Sequence, residues 1–92
     1  MEQILCDAVK RSLQYIANMK SRRVGPSSEA INRLDHFQKP LQDAPVDPLD
    51  VLAELDAYGS DATVASTSGR YFGFVTGGVL PATLGANILT GL

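Results

Sequence analysis

The sequence has 92 residues, of which 45% are hydrophobic and 20% charged, and a net charge of −2. This length allows one domain, and this balance is that of an ordinary globular protein rather than of a disordered chain. Nucleic acids and anionic membrane surfaces attract basic proteins, so the acidic balance argues against both as partners.

The charges and the single cysteine give two further expectations. Seven of the eight Lys and Arg residues lie in residues 1–39, and we interpret this basic excess as a solvated helix face. Cys6 is the only cysteine, so no internal disulfide forms, and the first residues reach Asp7 and Lys10 before an apolar signal core accumulates. We therefore predict a cytoplasmic protein.

The first part of the chain has the periodicity of amphipathic helices. Apolar residues recur at spacings of three and four from Glu2 to Lys20, which predicts a first helix that Val24-Gly25-Pro26 ends. Ser27 is in position to cap a second, shorter helix. The predicted apolar faces are Leu5, Ala8, Ser12, Tyr15, Ile16 and Met19 on the first helix and Ile31, Leu34 and Phe37 on the second.

A third amphipathic helix is predicted after an extended connection over residues 39–46. Asp47 supplies its N-cap and Pro48 its first helical position. We expect Gly59 to end it in the left-handed conformation that glycine adopts without strain. Its predicted apolar stripe consists of Val51, Leu52, Leu55 and Tyr58.

Residues 62–92 differ from the amphipathic part, residues 1–61, because Arg70 is their only charge. Their β-branched and aromatic content predicts short extended segments at 63–65 and 71–75, which Gly77-Gly78 interrupts. Pro81 is expected to open a fourth helix through Leu89 that is apolar on nearly every side and therefore needs to be buried. The predicted fold class is mainly α: three amphipathic helices, an extended aromatic and glycine-rich segment, and a fourth apolar helix.

A membrane span is the alternative for the tail. The 22 residues from Tyr71 to Leu92 are uncharged, and about 20 suffice to cross a bilayer. Five glycines, Asn87 and the central Pro81 argue against a span, and no Lys or Arg follows them. We therefore predict no membrane partner and a tail that packs against other protein, as in the beginning of a larger structure.

Residues of the types used in catalysis do not converge in the sequence. His36 and Cys6 fall on different predicted helices without a third partner. We expect His36 to be exposed near a helix C-terminus and Cys6 to be a small apolar filler. The acids of residues 43–56 lack the spacing of a calcium loop, and the glycines lack the Lys of a phosphate loop. No catalytic, cofactor-binding or metal-binding residue is predicted.

The run RYFGFVTGG (residues 70–78), followed by LPATLGAN (residues 80–87), resembles a known family. It is similar to the N-terminal region of the pyridoxal-phosphate-dependent decarboxylases of the aromatic-amino-acid and glutamate decarboxylase group. The order and spacing of the upstream helices also resemble bacterial members. The resemblance covers nearly all of this chain but only the first part of a family member. Family members usually continue with a large residue and an Asp-Gln-Asn segment, whereas this chain runs from Asn87 to Leu92.

The resemblance implies the N-terminal segment of a fold-type-I pyridoxal-phosphate enzyme, a lyase of amino-acid metabolism. In such enzymes the N-terminal helices wrap the other subunit of a homodimer, and the Tyr-Phe-Gly-Phe segment lies at the active-site entrance. By this resemblance Phe74 and Thr76 are the substrate-binding residues. The interpretation of Phe74 as a core residue and Thr76 as a strand residue stays open.

The resemblance also implies that this chain is inactive alone. In the family, pyridoxal phosphate forms a Schiff base with a lysine that follows a histidine far downstream, and that pair is not in this sequence. We interpret Lys10, Lys20 and Lys39 as solvated residues whose sequence contexts do not match that pair, so none of them replaces the Schiff-base lysine. The cofactor is therefore expected in the parent enzyme and not on this chain, which would supply dimer contacts and one pocket wall to the rest of a decarboxylase chain. The alternative is a small helical interaction module that docks through its uncharged C-terminal tail.

Overall fold

The computed structural model describes residues 1–76 and 78–92, so Gly77 of the predicted Gly77-Gly78 break lies outside the described residues. Within those ranges the chain forms four α-helices and two short 3-10 helices, with no strand. The prediction of a mainly α fold is confirmed. The α-helices are α1 (Glu2–Asn18), α2 (Ser28–Asn32), α3 (Pro48–Gly59) and α4 (Pro81–Thr90), and the 3-10 helices are Arg33–Phe37 and Ser60–Ala62.

Two helix starts follow from side-chain caps that the sequence predicts. The Ser27 hydroxyl accepts a hydrogen bond from the amide of Ala30 at 3.1 Å and begins α2. The Asp47 carboxylate accepts one from the amide of Leu49 at 2.9 Å, directly before Pro48 at the first position of α3. Residues 39–46 form no helix and are exposed, as expected for the connection between these helices.

The first helix ends earlier than predicted. It stops at Asn18, and the amides of Ser21 and Arg22 donate to the Asn18 carbonyl at 3.2 and 3.0 Å in a tight turn. The prediction that Val24-Gly25-Pro26 ends the helix is therefore wrong. The chain leaves α1 where another segment binds the carbonyls beyond its end.

The expected left-handed glycine at the end of α3 is also wrong. Gly59 has a φ of −93° and remains in the right-handed region. The amide of Ser60 continues the helical pattern by donating to the carbonyl of Asp56, and the chain tightens into the 3-10 helix Ser60–Ala62. Because helical hydrogen bonding continues past Gly59, no left-handed residue is needed at this position.

The predicted extended segment over 71–75 is wrong in its second half. Phe74 and Val75 have φ angles of 53° and 59°, which lie in the left-handed region. The amide of Thr76 donates to the carbonyl of Gly73 at 3.0 Å and closes a tight turn around them. The extended segment predicted over residues 63–65 is found at Thr63, whose backbone is extended with φ −86° and ψ 153°.

The helices pack around a small core. α1 lies against α3, and the segment from α2 to Phe37 lies against α3 and the turn that follows it. None of the large side chains in the described residues is fully buried. The buried apolar residues are Met19, Ala30 and Ala65.

The chain consequently exposes more surface than a compact protein of its mass. Its accessible surface is 7350 Å², whereas about 5,200 Å² is usual for a folded monomer of this size. Its radius of gyration is 15.0 Å, against about 12 Å for a compact domain of this length. No residue of α4 is buried, so the chain itself does not provide the burial expected for this helix. Among the described residues, no helix combines the length and the apolar content that crossing a membrane requires.

Candidate docking surface and aromatic loop

The candidate site is the aromatic loop, residues 70–76, and it stands on a platform formed by residues 65–68. Ala65 is fully buried, and its amide donates to the carbonyl of Val24 at 2.8 Å. Ser68 is 5% exposed; its hydroxyl accepts from the amide of Arg70 at 3.2 Å, and its carbonyl accepts from the amide of Tyr71 at 3.1 Å. The loop thus begins at a fixed point beside the carboxyl end of α1.

Arg70 joins this loop to the end of α1. Its Nη2 donates to the carbonyl of Met19 at 3.1 Å and also to the carbonyl of Arg22. Carbonyls at a helix C-terminus lack partners within the helix, and a guanidinium is a strong donor to them. Arg70 therefore closes the end of α1 from outside that helix.

Arg22 makes the complementary connection to the exit of α3. Its guanidinium donates to the carbonyls of Ser60 and Thr63 at 3.3 and 2.8 Å and lies 5.0 Å from the centre of the Tyr15 ring. The hydroxyls of Tyr15 and Thr63 are hydrogen-bonded at 2.8 Å. The end of α1, the exit of α3 and the platform are therefore joined through two arginines.

Inside the loop, Tyr71 folds back over Gly73. A Cβ atom built on Gly73 would lie 2.3 Å from the Tyr71 hydroxyl oxygen, so a side chain at this position would displace the ring. The carbonyl of Gly73 accepts hydrogen bonds from both the amide and the hydroxyl of Thr76, at 3.0 and 2.9 Å. The hydrogen of the Thr76 hydroxyl is thus used within the turn, whereas its oxygen keeps lone pairs that can accept from a ligand.

The tip of the loop presents apolar side chains to solvent. Phe72 is 94% exposed and Phe74 is 93% exposed, and Val75 is fully exposed. Thr76 is exposed beside them. The two residues that the resemblance assigns to substrate are therefore neighbours at one surface, and Phe74 is not part of a core formed by this chain.

A second apolar surface, the α1 stripe, consists of Leu5, Val9 and Leu13, which are exposed at successive turns of α1. Together with Cys6 and the stem of Lys10 they line a shallow depression of about 460 Å³. The expectation that Cys6 is an apolar filler is wrong, because Cys6 is exposed on this side of α1. No described element of the chain covers the stripe.

The other side of α1 faces α3 across an apolar cleft of about 400 Å³. Ile16 and Leu55 lie on its two walls, and Val79 and Leu84 reach it from the tail. The predicted apolar face of α1 is therefore divided in the structure. Ala8, Ser12 and Ile16 line the cleft, whereas Leu5 belongs to the α1 stripe.

A polar cluster joins the Arg33–Phe37 helix to α3. The His36 ring stacks on Tyr58 with 3.7 Å between ring centres, and its Nε2 is hydrogen-bonded to the Glu54 carboxylate at 2.9 Å. Lys39 Nζ donates to the same carboxylate, and its side chain stays 54% exposed, as expected for a solvated lysine. The hydrogen bond from Lys39 is the largest effect that lowers the pKa of Glu54. The positive charge of Lys39 and the hydrogen bond with His36 lower it further.

A second polar cluster lies between α1 and α3. The Arg11 guanidinium donates to Asp7 at 2.7 Å and to Asp56 at 3.0 Å. These two hydrogen bonds raise the pKa of Arg11. The hydroxyl of Ser60 donates to Asp56 at 2.6 Å, and this bond, together with Arg11, lowers the pKa of Asp56. Both clusters have their charges paired within the fold, which is the pattern of structural contacts between helices.

The described residues do not bring catalytic side chains together. His36 lies against α3, whereas Cys6 lies on the α1 stripe. No group of three His, Cys, Asp or Glu residues in the described part of the chain is arranged to hold a metal ion.

The roles of Arg22 and Arg70 were not predicted from the sequence. Arg22 belongs to the basic excess of residues 1–39, and Arg70 is the only charge of residues 62–92. The position of Arg70 as a lone cation in an apolar segment could have indicated its role, because such a cation needs a partner. In the structure the partners are the carbonyls of Met19 and Arg22.

Comparisons of this chain with known protein families, with curated proteins and with solved structures find no match. Function is therefore inferred from the uncovered apolar surface, from the aromatic loop, and from the family resemblance that residues 70–87 carry.

Proposed function

We propose that this chain is the dimerisation and substrate-pocket segment of a pyridoxal-phosphate-dependent amino-acid decarboxylase. The observation that supports the proposal best is the excess of exposed surface. The chain exposes 7350 Å², roughly 2,000 Å² more than a compact monomer of its mass. Obligate dimers bury about 2,000–5,000 Å² in total, so the excess on each chain is of the size that such an interface removes.

The distribution of this surface supports association with another protein chain. Leu5 and Val9 are 42% and 43% exposed and Leu13 is 62% exposed, all on one side of α1. Contiguous apolar patches of this kind mark protein interfaces. A helix or apolar groove of a second subunit packed on the α1 stripe would remove these side chains from water.

The aromatic loop is suited to the wall of a substrate pocket. Phe74 presents an apolar face to solvent, and the Thr76 hydroxyl oxygen can accept a hydrogen bond. By resemblance to the decarboxylases, Phe74 and Thr76 would contact the side chain of the amino-acid substrate.

The residues described here do not fit a pyridoxal phosphate site. Lys39 is bound to the Glu54 carboxylate, and Lys10 and Lys20 are exposed on and just beyond α1. The cofactor, which supplies an electron sink for the departing carboxylate, would be held by other parts of the parent enzyme. This chain would contribute binding and orientation of the substrate.

The protein encoded by the whole reading frame that contains residues 1–92 provides the test. We expect it to be a dimer and to release carbon dioxide from an amino acid only when pyridoxal phosphate is bound. Removal of residues 1–61 is expected to abolish the dimer and the activity together. A complete protein that releases no carbon dioxide from any of the common amino acids, or that is active as a monomer, would contradict the proposal.

One observation favours the second candidate, a helical interaction module that docks through its C-terminal tail. Leu80, Leu89 and Leu92 are 69%, 73% and 82% exposed, and α4 buries no residue. For such a module, removal of residues 79–92 would leave a stable helical protein that no longer binds its partner. For the decarboxylase segment, the shortened chain would still self-associate through the α1 stripe.

A further inference from the structure

We propose that Arg70 is a positioning residue that fixes the aromatic loop to the end of α1, so that the placement of Phe74 and Thr76 depends on α1. The identity of the loop as a substrate wall rests on the proposed function. The connection between α1 and the loop rests on the contacts of this chain alone.

The first link of this connection is the pair of hydrogen bonds from Arg70. One nitrogen atom of its guanidinium donates to two carbonyls, at Met19 and at Arg22, on either side of the turn that follows α1. A donor that binds both carbonyls sets the loop's distance from the helix as well as its direction. Arg70 is the only charged residue of segment 62–92, so no other residue of this segment can make this charge-assisted contact.

The second link runs from Arg70 to the tip of the loop in three steps. The amide of Tyr71 is held by the Ser68 carbonyl at 3.1 Å. The Tyr71 side chain folds over Gly73, with its hydroxyl oxygen 2.3 Å from the position of a Cβ atom. Gly73 in turn binds the amide and the hydroxyl of Thr76. A displacement of Arg70 is therefore passed to Thr76 through contacts between near neighbours.

This connection gives α1 two tasks. Its stripe of Leu5, Val9 and Leu13 is the surface that a second subunit would cover, and its carboxyl end carries the loop through Arg70. Ordering of α1 by association would then also order Phe74 and Thr76. The substrate wall would reach its working position only in the assembled enzyme.

The first experiment uses the 92-residue chain and does not depend on decarboxylation. Arg70→Met keeps the length of the side chain and removes its donors, whereas Arg70→Lys keeps a charged donor that can bind both carbonyls. We expect Arg70→Met to speed hydrogen exchange at the amides of Tyr71 and Thr76 by about tenfold or more, because local opening becomes easier. Exchange at the hydrogen-bonded amides of α3 should not change, and Arg70→Lys should restore most of the protection.

The matched control is Arg23→Met, which removes an equal charge from an exposed arginine close to the same turn. It is expected to leave exchange in the loop unchanged. If Arg70→Met loses the helical circular dichroism of the native chain, Arg70→Gln replaces it in the same comparison with Arg70→Lys. Unchanged exchange at Tyr71 and Thr76 in the Arg70 variants would overturn the proposal.

The second experiment uses the complete decarboxylase. Arg70→Met is expected to raise KM for the amino-acid substrate by about tenfold, because small displacements of positioning groups weaken productive binding. The affinity for pyridoxal phosphate and the dimer should be unchanged, and Arg70→Lys should bring KM back to within about threefold of the native value. A change in kcat and cofactor affinity without a change in KM would overturn the positioning role. Faster hydrogen exchange at Tyr71 and Thr76 in Arg70→Met, together with a complete protein that has no decarboxylase activity, would support the connection to α1 and contradict the proposed function.

Discussion

The guanidinium of Arg70 donates a hydrogen bond to the backbone carbonyl of Arg22, and the guanidinium of Arg22 donates to the carbonyl of Thr63 at 2.8 Å. Arg70 therefore binds the segment that follows α1, and Arg22, which lies in that segment, binds the exit of α3. In a chain whose buried apolar residues are Met19, Ala30 and Ala65, such polar connections hold segments that a larger core would otherwise hold.

Arg22→Met is expected to destabilise the chain. The substitution keeps part of the packing on Tyr15 but removes the hydrogen bonds to Ser60 and Thr63. Because the lost hydrogen bonds run from a charged group to partly exposed carbonyls, the free energy of unfolding should fall by about 1–2 kcal/mol. Urea denaturation followed by circular dichroism measures this change. Arg23→Met, on an exposed neighbour, is the control and should change stability by less than about 0.5 kcal/mol.

The α1 stripe predicts self-association that a single charge weakens. We expect the 92-residue chain to sediment as a dimer or larger species at micromolar concentration, because its uncovered apolar surface is large. Leu13→Lys places a charge at the most exposed position of the stripe and should shift the chain toward monomer. Gln3→Lys adds the same charge to α1 at an exposed position outside the stripe and should not. A compact, cooperatively folding native monomer would contradict this prediction.

The paired carboxylates predict a loss of stability in acid. The pKa values of Glu54 and Asp56 are lowered in the fold, so the unfolded chain binds protons at higher pH than the folded chain. Above the pKa values of the unfolded chain, about 4.3 for Glu and 3.9 for Asp, these groups add their full stability. This stability is lost as the pH falls from those values through the lower pKa values of the folded chain. The urea midpoint should therefore decline as the pH falls below about 5.

Substitution of these carboxylates is the check on the acid effect. Glu54→Gln with Asp56→Asn should lower the urea midpoint at neutral pH and flatten its decline in acid. Asp43→Asn, in the exposed connection before α3, should leave the profile unchanged. An equally steep decline in the double variant would assign the acid sensitivity to other groups.

The left-handed turn predicts a stabilising substitution at the loop tip. Val75 has a φ of 59°, and a β-branched residue is strained there. Asparagine tolerates this conformation, and Val75 has no burial to lose, so Val75→Asn should raise the free energy of unfolding by about 0.5–1 kcal/mol. Val64→Asn, at an exposed position where φ is not positive, relieves no strain and should not raise it. Destabilisation by Val75→Asn in urea denaturation would show that the turn is not formed in solution.

The sequence predicted the elements that local chemistry decides. Caps at Ser27 and Asp47 act on amides within three residues, so a short stretch of sequence contains both partners. By contrast, Arg70 binds carbonyls about 50 residues away along the chain, and no periodicity carries such a contact. The role of Arg70 was not predicted for this reason.

The conformation of the candidate loop was not predicted from the sequence, and the assignment of Phe74 and Thr76 to substrate stays a prediction. The family resemblance pointed to Phe74 and Thr76, and the structure gives both side chains an exposed position at one loop. The β-branched and aromatic composition predicted an extended segment, but the packing of Tyr71 on Gly73 and the two bonds from Thr76 favour a turn. Composition reports an average preference, which these specific contacts outweigh.

Thr76→Val in the complete protein, which we propose to be a decarboxylase, tests the site assignment. The substitution keeps the shape of the side chain and the amide bond to Gly73, but it removes the hydroxyl that donates within the turn and can accept from the substrate. A neutral hydrogen bond contributes roughly 0.5–1.5 kcal/mol, so kcat/KM should fall several-fold while cofactor affinity and dimerisation stay the same. Thr76→Ser retains the hydroxyl and should keep most of the native kcat/KM. If Thr76→Val and Thr76→Ser both match the native enzyme, Thr76 contributes only packing and the hydroxyl does not reach the substrate.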